Sequence, residues 1–256
     1  MQKFVHTGKC IWCGRTEPEV SFLTEPHVLP RRLGGKEIGF DVCDECNHYF
    51  GTAQRGKPAI DVAFKEIFNA FRTFSSNTDE HTHEKFKSIF FDYRHSKHSI
   101  RIRPQFNSRA VTEQFKRGLY EVFLQRYHHV TGNGNAPMFD MVRKYARYGI
   151  GRPHVFYKFD NILLVTVNDE DKILNMSEPI IKDIMESGMY CFWLFGHVFY
   201  LEVLPVAYNA YGMRYLQRQA DHLLINIYGN ERIFEFRDVM EIDFCMERFN
   251  SHGRRG

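Results

Sequence analysis

The chain has no long hydrophobic run. Its longest apolar stretch, residues 189–207, is broken by Gly196, His197 and Glu202. A membrane-spanning helix needs about 20 apolar residues with few charges, so this stretch reads instead as a buried β-hairpin turning at Gly196-His197. Residues 1–9 are polar and carry no apolar leader, and a soluble, cytoplasmic protein with no membrane partner is expected. Internal repeats and low-complexity tracts are also lacking. With 43% hydrophobic and 25% charged residues, wholesale disorder, a collagen-like array and a coiled-coil rod are excluded. Net charge is scarce too: 34 Lys and Arg against 31 Asp and Glu leave only +3, which names no partner.

What is present is unevenly distributed. Residues 1–58 hold 8 basic and 7 acidic side chains, 59–80 hold 2 and 4, 81–158 hold 15 and 5, and 159–256 hold 9 and 15. The middle segment alone has the surplus expected of a polyanion-binding surface. The six cysteines are uneven as well. Four fall within the first 46 residues as two Cys-x-x-Cys pairs, while Cys191 and Cys245 sit in aromatic runs and read as inert core thiols.

Periodicity places the elements. Residues 60–74 carry Ile60, Phe64, Ile67, Phe71 and Phe74 on one helical face. Residues 86–94 and 99–103 read as a hairpin, with Ile100 and Ile102 alternating with Arg101 and Arg103. Residues 111–129 and 138–148 are helical. The pattern then turns to strands at 154–159, 161–167, 190–195, 197–204, 223–228 and 232–236, with Gly229-Asn230 as a turn. A single helix at 177–187 interrupts them, with Ser177 as its cap and Gly188 at its end. The fold class is therefore α+β: a small zinc-stapled module over 1–58, then a larger α+β domain over 59–256. That domain is basic and helix-rich to 150, and acidic and strand-rich from 151.

Cys10-Ile11-Trp12-Cys13 and Cys43-Asp44-Glu45-Cys46 are separated by 29 residues. Two such turns can close a tetrahedral Zn²⁺ site, and four thiolates leave no open coordination position, so the ion is expected to be structural. Between and after the pairs stand His27-Val28-Leu29-Pro30, Leu33-Gly34-Gly35, Asn47 and Phe50-Gly51. In this order they resemble the HNH endonucleases with two Cys-x-x-Cys pairs, over residues 10–51.

The resemblance implies a ββα-metal fold and metal-dependent hydrolysis of phosphodiester bonds. It implies His27 as general base, Asn47 as ligand of a catalytic Mg²⁺ or Mn²⁺, and a setting in restriction, phage defence or mobile-element biology. The family's acid directly before the base is replaced here by Pro26, with Glu25 one residue earlier. Alternate residues of a strand share a face, so Glu25 is the first substitute ligand, with Asp41 and His48 as the others. DNA is the expected partner and RNA the alternative. The candidate phosphate contacts are Arg31, Arg32, Lys36, Arg94, Arg101, Arg103, Lys116, Arg117, Arg143, Lys144 and Arg147. The rival reading is a zinc-stabilised nucleic-acid-binding protein that does not cut. The acidic C-terminal part suits homodimerisation or target sensing.

Overall fold

The computed structural model describes residues 1–75, 86–94, 99–159, 174–194, 196–205, 210–221 and 233–242. Helix α1 (Asp44–Gly51) starts directly after Cys43 and carries Cys46. Helix α2 (Ile60–Ser75) leads to the hairpin β1 (Phe91–Arg94) and β2 (Ser99–Ile102), paired antiparallel with Phe91 opposite Ile102. Then come α3 (Ser108–Thr131), α4 (Asp140–Tyr148), β3 (Val155–Phe159), α5 (Glu178–Ser187), β4 (Met189–Leu194), β5 (His197–Glu202), α6 (Ala210–Asp221) and β6 (Phe234–Glu235). Strands β3 to β6 form one antiparallel sheet in the order β4-β5-β3-β6. No helix among the described residues is long and apolar enough to cross a membrane.

The organising element is α3. It starts three residues before the apolar stripe suggests, because the Asn107 side chain accepts from Ala110 N at 3.0 Å and caps it. It ends at Gly132, whose φ of 71° suits a residue without a Cβ. Phe115 stands between α2 and the sheet, with ring centroids 5.9 Å from Phe64, 5.5 Å from Phe199 and 6.0 Å from Phe236. Burying a phenylalanine of this kind contributes roughly 2–3 kcal/mol. One continuous buried cluster runs from Cys10 and Trp12 through Phe64, Phe115 and Phe123 to Ile242, so the cysteine-bearing segment shares its core with the rest.

The α+β class holds. Two sequence expectations differ from the structure. The helix at 177–187 is not the single helix of the C-terminal part, since α6 follows β5. Among its described side chains and glycines the buried set is Gly212, Tyr215 and Leu216, too narrow a stripe to stand out from a polar sequence. The third helix of the sequence reading begins as a 3₁₀ turn, Pro137–Phe139, before α4. The strands expected at 161–167 and 223–228, the turn at Gly229-Asn230 and the thiol of Cys245 lie outside the described residues, as do the side chains of Phe71 and Phe74. Cys191 packs beside Met189, Tyr200 and Tyr215 in a second apolar cluster.

Candidate active site

The two Cys-x-x-Cys turns converge. The four sulfurs of Cys10, Cys13, Cys43 and Cys46 all lie within 4.8 Å of one another. Cys13 and Cys43 Sγ are 3.7 Å apart; tetrahedral bonds of about 2.3 Å set ligand separations at about 3.8 Å, so the cluster fits a zinc ion. The first turn closes through Gly14 N to Cys10 O at 2.9 Å, with Gly14 at a φ of 74°. Two guanidinium groups face the sulfurs. Arg15 Nε donates to Cys13 Sγ at 3.5 Å, and Arg147 Nε donates to Cys46 Sγ at 3.4 Å. Both also meet Glu45. Arg147 further lies 3.6 Å over the Tyr49 ring.

The segment carrying His27 is delivered to this centre by Asp44, the first residue of α1. Its carboxylate accepts from Leu23 N at 2.9 Å, Thr24 N at 2.7 Å, Thr24 Oγ1 at 2.6 Å and Ser21 Oγ. Beyond Thr24, residues 26–28 run antiparallel to 37–39, with His27 bridged to Ile38. Gly39 N donates to Pro26 O at 2.8 Å, and Val28 N donates to Glu37 O at 3.1 Å. The Leu33-Gly34-Gly35 segment has a steric reason: a Cβ on Gly35 would stand 1.9 Å from Leu29 O. Gly34, at a φ of 100°, ends the 3₁₀ turn Arg31–Leu33.

That turn brings Arg31 back over the histidine. Arg31 Nε donates to His27 Nε2 at 2.6 Å, and Nη2 donates to Glu25 Oε1 at 2.7 Å. Glu25 Oε1 is itself 3.4 Å from His27 Nε2. The structure thus brings Glu25 and His27 onto one face, with a cation held by both. His27 Nδ1 is buried and makes no hydrogen bond with any described residue. Asn47 is half-buried on α1, and its backbone N–H donates to Cys43 O at 2.9 Å.

The other substitute ligands have different tasks. Asp41 is fully buried. Its carboxylate accepts from His6 N, Thr7 N, Thr7 Oγ1 and Gly8 N at 2.7–3.0 Å and pairs with His128 Nε2 at 2.8 Å. Burial alone would raise this carboxyl, but the bonds from His128, His6 and Thr7 outweigh it and hold it well below the usual carboxylate range. His128 Nδ1 accepts from Gly134 N at 3.0 Å, so Nε2 carries the proton donated to Asp41. His48 is exposed and within 3.3 Å of Thr52 Oγ1 on its own helix.

The basic residues divide in the same way. Arg31, exposed, contacts His27; Arg32, Lys36, Arg94, Arg101 and Lys144 are exposed as well. Arg103 pairs with Asp92 at 2.6 Å. Three expectations of solvent-facing cations are corrected. Arg117 is 4% exposed and donates to Ala146 O, Arg147 O, Gln114 Oε1 and Tyr49 Oη at 2.7–3.1 Å. Arg143 holds Gly134 O at 2.6 Å and Ala136 O at 2.8 Å, and pairs with Asp140. Arg147 lies against the cysteines. Carbonyls left over at the end of α4 and in the 134–136 loop need donors, which draws Arg117 and Arg143 inward, and the sulfur of Cys46 draws Arg147. Asp44 and His128 carry parts of the site that sequence reasoning missed, and Arg147, expected at phosphate, sits on Cys46 instead; only Asp44, adjacent to a ligand cysteine, left a local signal.

No curated protein and no solved structure matches the chain. The segment that holds the four cysteines, Glu25, His27 and Asn47 matches the model of the HNH endonuclease family, over residues 10–57.

Proposed function

We propose that the protein is a metal-dependent endonuclease that hydrolyses DNA phosphodiester bonds, with His27 as general base. The observation that carries this reading is the Glu25–His27–Arg31 constellation, lying within the segment that matches the HNH endonuclease family. Phosphodiester hydrolysis requires a proton acceptor for water and charge stabilisation at the phosphoryl group. A neutral imidazole accepts such a proton near pH 7. His27 Nε2 becomes available once Arg31 swings to a substrate phosphate, where a guanidinium forms a charge-assisted fork. Arg32 and Lys36, exposed and close to Arg31 in the chain, would extend that contact along the backbone.

The residues present fit a divalent ion. A carboxylate and an imidazole 3.4 Å apart already share a cation, the Arg31 guanidinium, and Asn47 on α1 would add an amide oxygen. Glu25 and Asn47 would hold Mg²⁺ or Mn²⁺, which when bound neutralises a phosphoryl oxygen and the leaving oxyanion. The four cysteines would hold a structural Zn²⁺ that fixes α1 and its Asn47 against the His27 segment.

The test is incubation of the pure protein with plasmid DNA, and with RNA in parallel, under Mg²⁺ or Mn²⁺. Wild type should cut DNA, and His27→Ala should cut about 10²- to 10⁴-fold more slowly. A mutant that cuts equally well removes His27 from the chemistry. Binding without cleavage under every metal supports the second reading, a zinc-stabilised nucleic-acid-binding protein. Pro26, in the place of the acid expected directly before the base, favours that alternative.

A further inference from the structure

A cleft of about 570 Å³ opens between the first half of α3, the segment 149–154 and the residues around β6. It contains none of Glu25, His27, Arg31 or Asn47. Three acids line it, and each is already engaged. Glu113 is held by Lys57 Nζ at 2.7 Å. Glu235 is held by His154 Nδ1 at 2.8 Å and Arg237 Nη2 at 2.9 Å. Asp238 accepts from Ser108 Oγ and caps the 3₁₀ turn Val239–Glu241 through Met240 N at 2.8 Å.

Three cations of the same cleft are not engaged in this way. Arg109, Lys116 and Arg152 line it and form no ion pair or side-chain hydrogen bond with any described residue. Lys116 is half-buried, with its Nζ 5.3 Å from the centroid of the Phe236 ring. Burial pulls its ammonium below the usual lysine range, against the opposing pull of Glu235 and Glu241. Tyr145 is only 6% exposed yet lines the cleft, and its hydroxyl has no hydrogen-bond partner among the described residues. A partly desolvated ammonium held in no direct ion pair and a tyrosine hydroxyl without a protein partner, both lining the cleft, are open to an incoming acceptor.

We propose that this cleft binds the phosphoryl groups of a nucleotide-sized ligand. Lys116 supplies the inner positive charge, Arg109 and Arg152 close on phosphate oxygens from the rim, and Tyr145 donates its hydroxyl. The guanidinium fork matches phosphate geometry, and the volume lies within the range of small-molecule sites, about 300–1,000 Å³. The site is separate from the nuclease centre. His129 Nδ1 bonds Ile38 O, opposite His27, and Lys116 lies about 20 Å from His129 along the axis of α3. Phosphate could reach the cleft as a free phosphorylated ligand or as the backbone of a nucleic acid.

The experiment uses full-length, zinc-loaded protein titrated calorimetrically with inorganic pyrophosphate, and in a second arm with a short labelled DNA duplex. Wild type should bind pyrophosphate at one site per chain. Arg109→Ala/Arg152→Ala, two exposed changes that leave the fold intact, should weaken it by about tenfold or more. Lys116→Met, checked for folding by thermal melting, should do the same. If duplex affinity stays unchanged in these variants, the phosphate is that of a free ligand; if it falls in parallel, the cleft grips nucleic-acid backbone. Failure of wild type to bind pyrophosphate, with duplex affinity equal in all three proteins, overturns the proposal. Every readout is binding, so a failure of cleavage does not bear on it.

Discussion

Arg31 Nε donates to His27 Nε2 across 2.6 Å while Nη2 of the same side chain holds Glu25 Oε1 at 2.7 Å. Arginine stays protonated in proteins, so Nε2 is the acceptor and the ring proton resides on Nδ1. The guanidinium and the proposed divalent ion therefore compete for Glu25. An exposed pair of this kind is worth up to about 1 kcal/mol, or about fivefold in affinity. Arg31→Ala is expected to lower the Mn²⁺ concentration for half-maximal cleavage by about that factor, and Glu25→Gln to raise it. A metal titration of both variants checks this; a Glu25→Gln midpoint equal to wild type would remove Glu25 from the ligand set.

The cysteine cluster should retain one zinc per chain in native mass spectrometry. Arg147 Nε on Cys46 Sγ offsets the negative charge that four thiolates place on the centre. Groups that support metal ligands typically change affinity by about 10- to 100-fold. Arg147→Gln should therefore release zinc to a chromogenic chelator about tenfold faster or more. Unchanged release would leave Arg147 as a packing residue over Tyr49.

The Asp41–His128 pair joins the cysteine-bearing segment to α3 with both side chains fully buried. Removing His128 takes one hydrogen bond from a buried carboxylate that keeps its bonds from His6, Thr7 and Gly8, which costs about 1.5–3 kcal/mol. His128→Ala should lose that much stability in urea unfolding. Asp41 titrates below its unfolded value, so its stabilisation is present above the usual carboxylate range and is lost as the pH falls below it. The acid limb of the stability curve should flatten in Asp41→Asn, which is also destabilised at neutral pH.

Asp61 on α2 runs the opposite way. Burial raises its carboxyl to about 6, with Glu121 and Lys65 pulling it down. Glu121, buried in α3 against Asp61, is raised too, first by burial. The native state thus binds the Asp61 proton more tightly than the unfolded chain. Its contribution is full below pH 4 and is lost as the pH rises through about 6. Moving this carboxyl from 3.8 to about 6 corresponds to roughly 3 kcal/mol. Asp61→Asn should remove this decline and stabilise the protein at pH 7 relative to pH 4.5. Thermal melts at the two values test it.

Salt dependence separates surface cations from internal ones. If Arg31, Arg32 and Lys36 hold phosphates, each neutral variant should reduce the slope of log affinity against log salt by about 1. Arg117→Ala should leave that slope alone and lower stability instead, because its guanidinium satisfies carbonyls of α4. A reduced slope in Arg117→Ala would place it at the interface.

The sequence alone determined what depends on near neighbours. Paired spacing marked Cys10, Cys13, Cys43 and Cys46. The short motif around them marked His27, and 3.6-residue periodicity marked α2, α3 and α4, because ligand turns and amphipathic faces are local properties. Only the tertiary structure decided which charges are free. Arg117 reads as a surface cation in sequence, yet its partners are Tyr49, 68 residues away, and the carbonyls ending α4. Arg147 finds Cys46 across 101 residues, and His128 finds Asp41 across 87. A long polar side chain goes wherever buried donors and acceptors remain unsatisfied, and that demand is set by how helices and sheet pack. The cleft of Arg109, Lys116 and Arg152 has the same origin: Lys57 and His154, distant in the chain, hold two of its acids, while these three cations pair with no described residue.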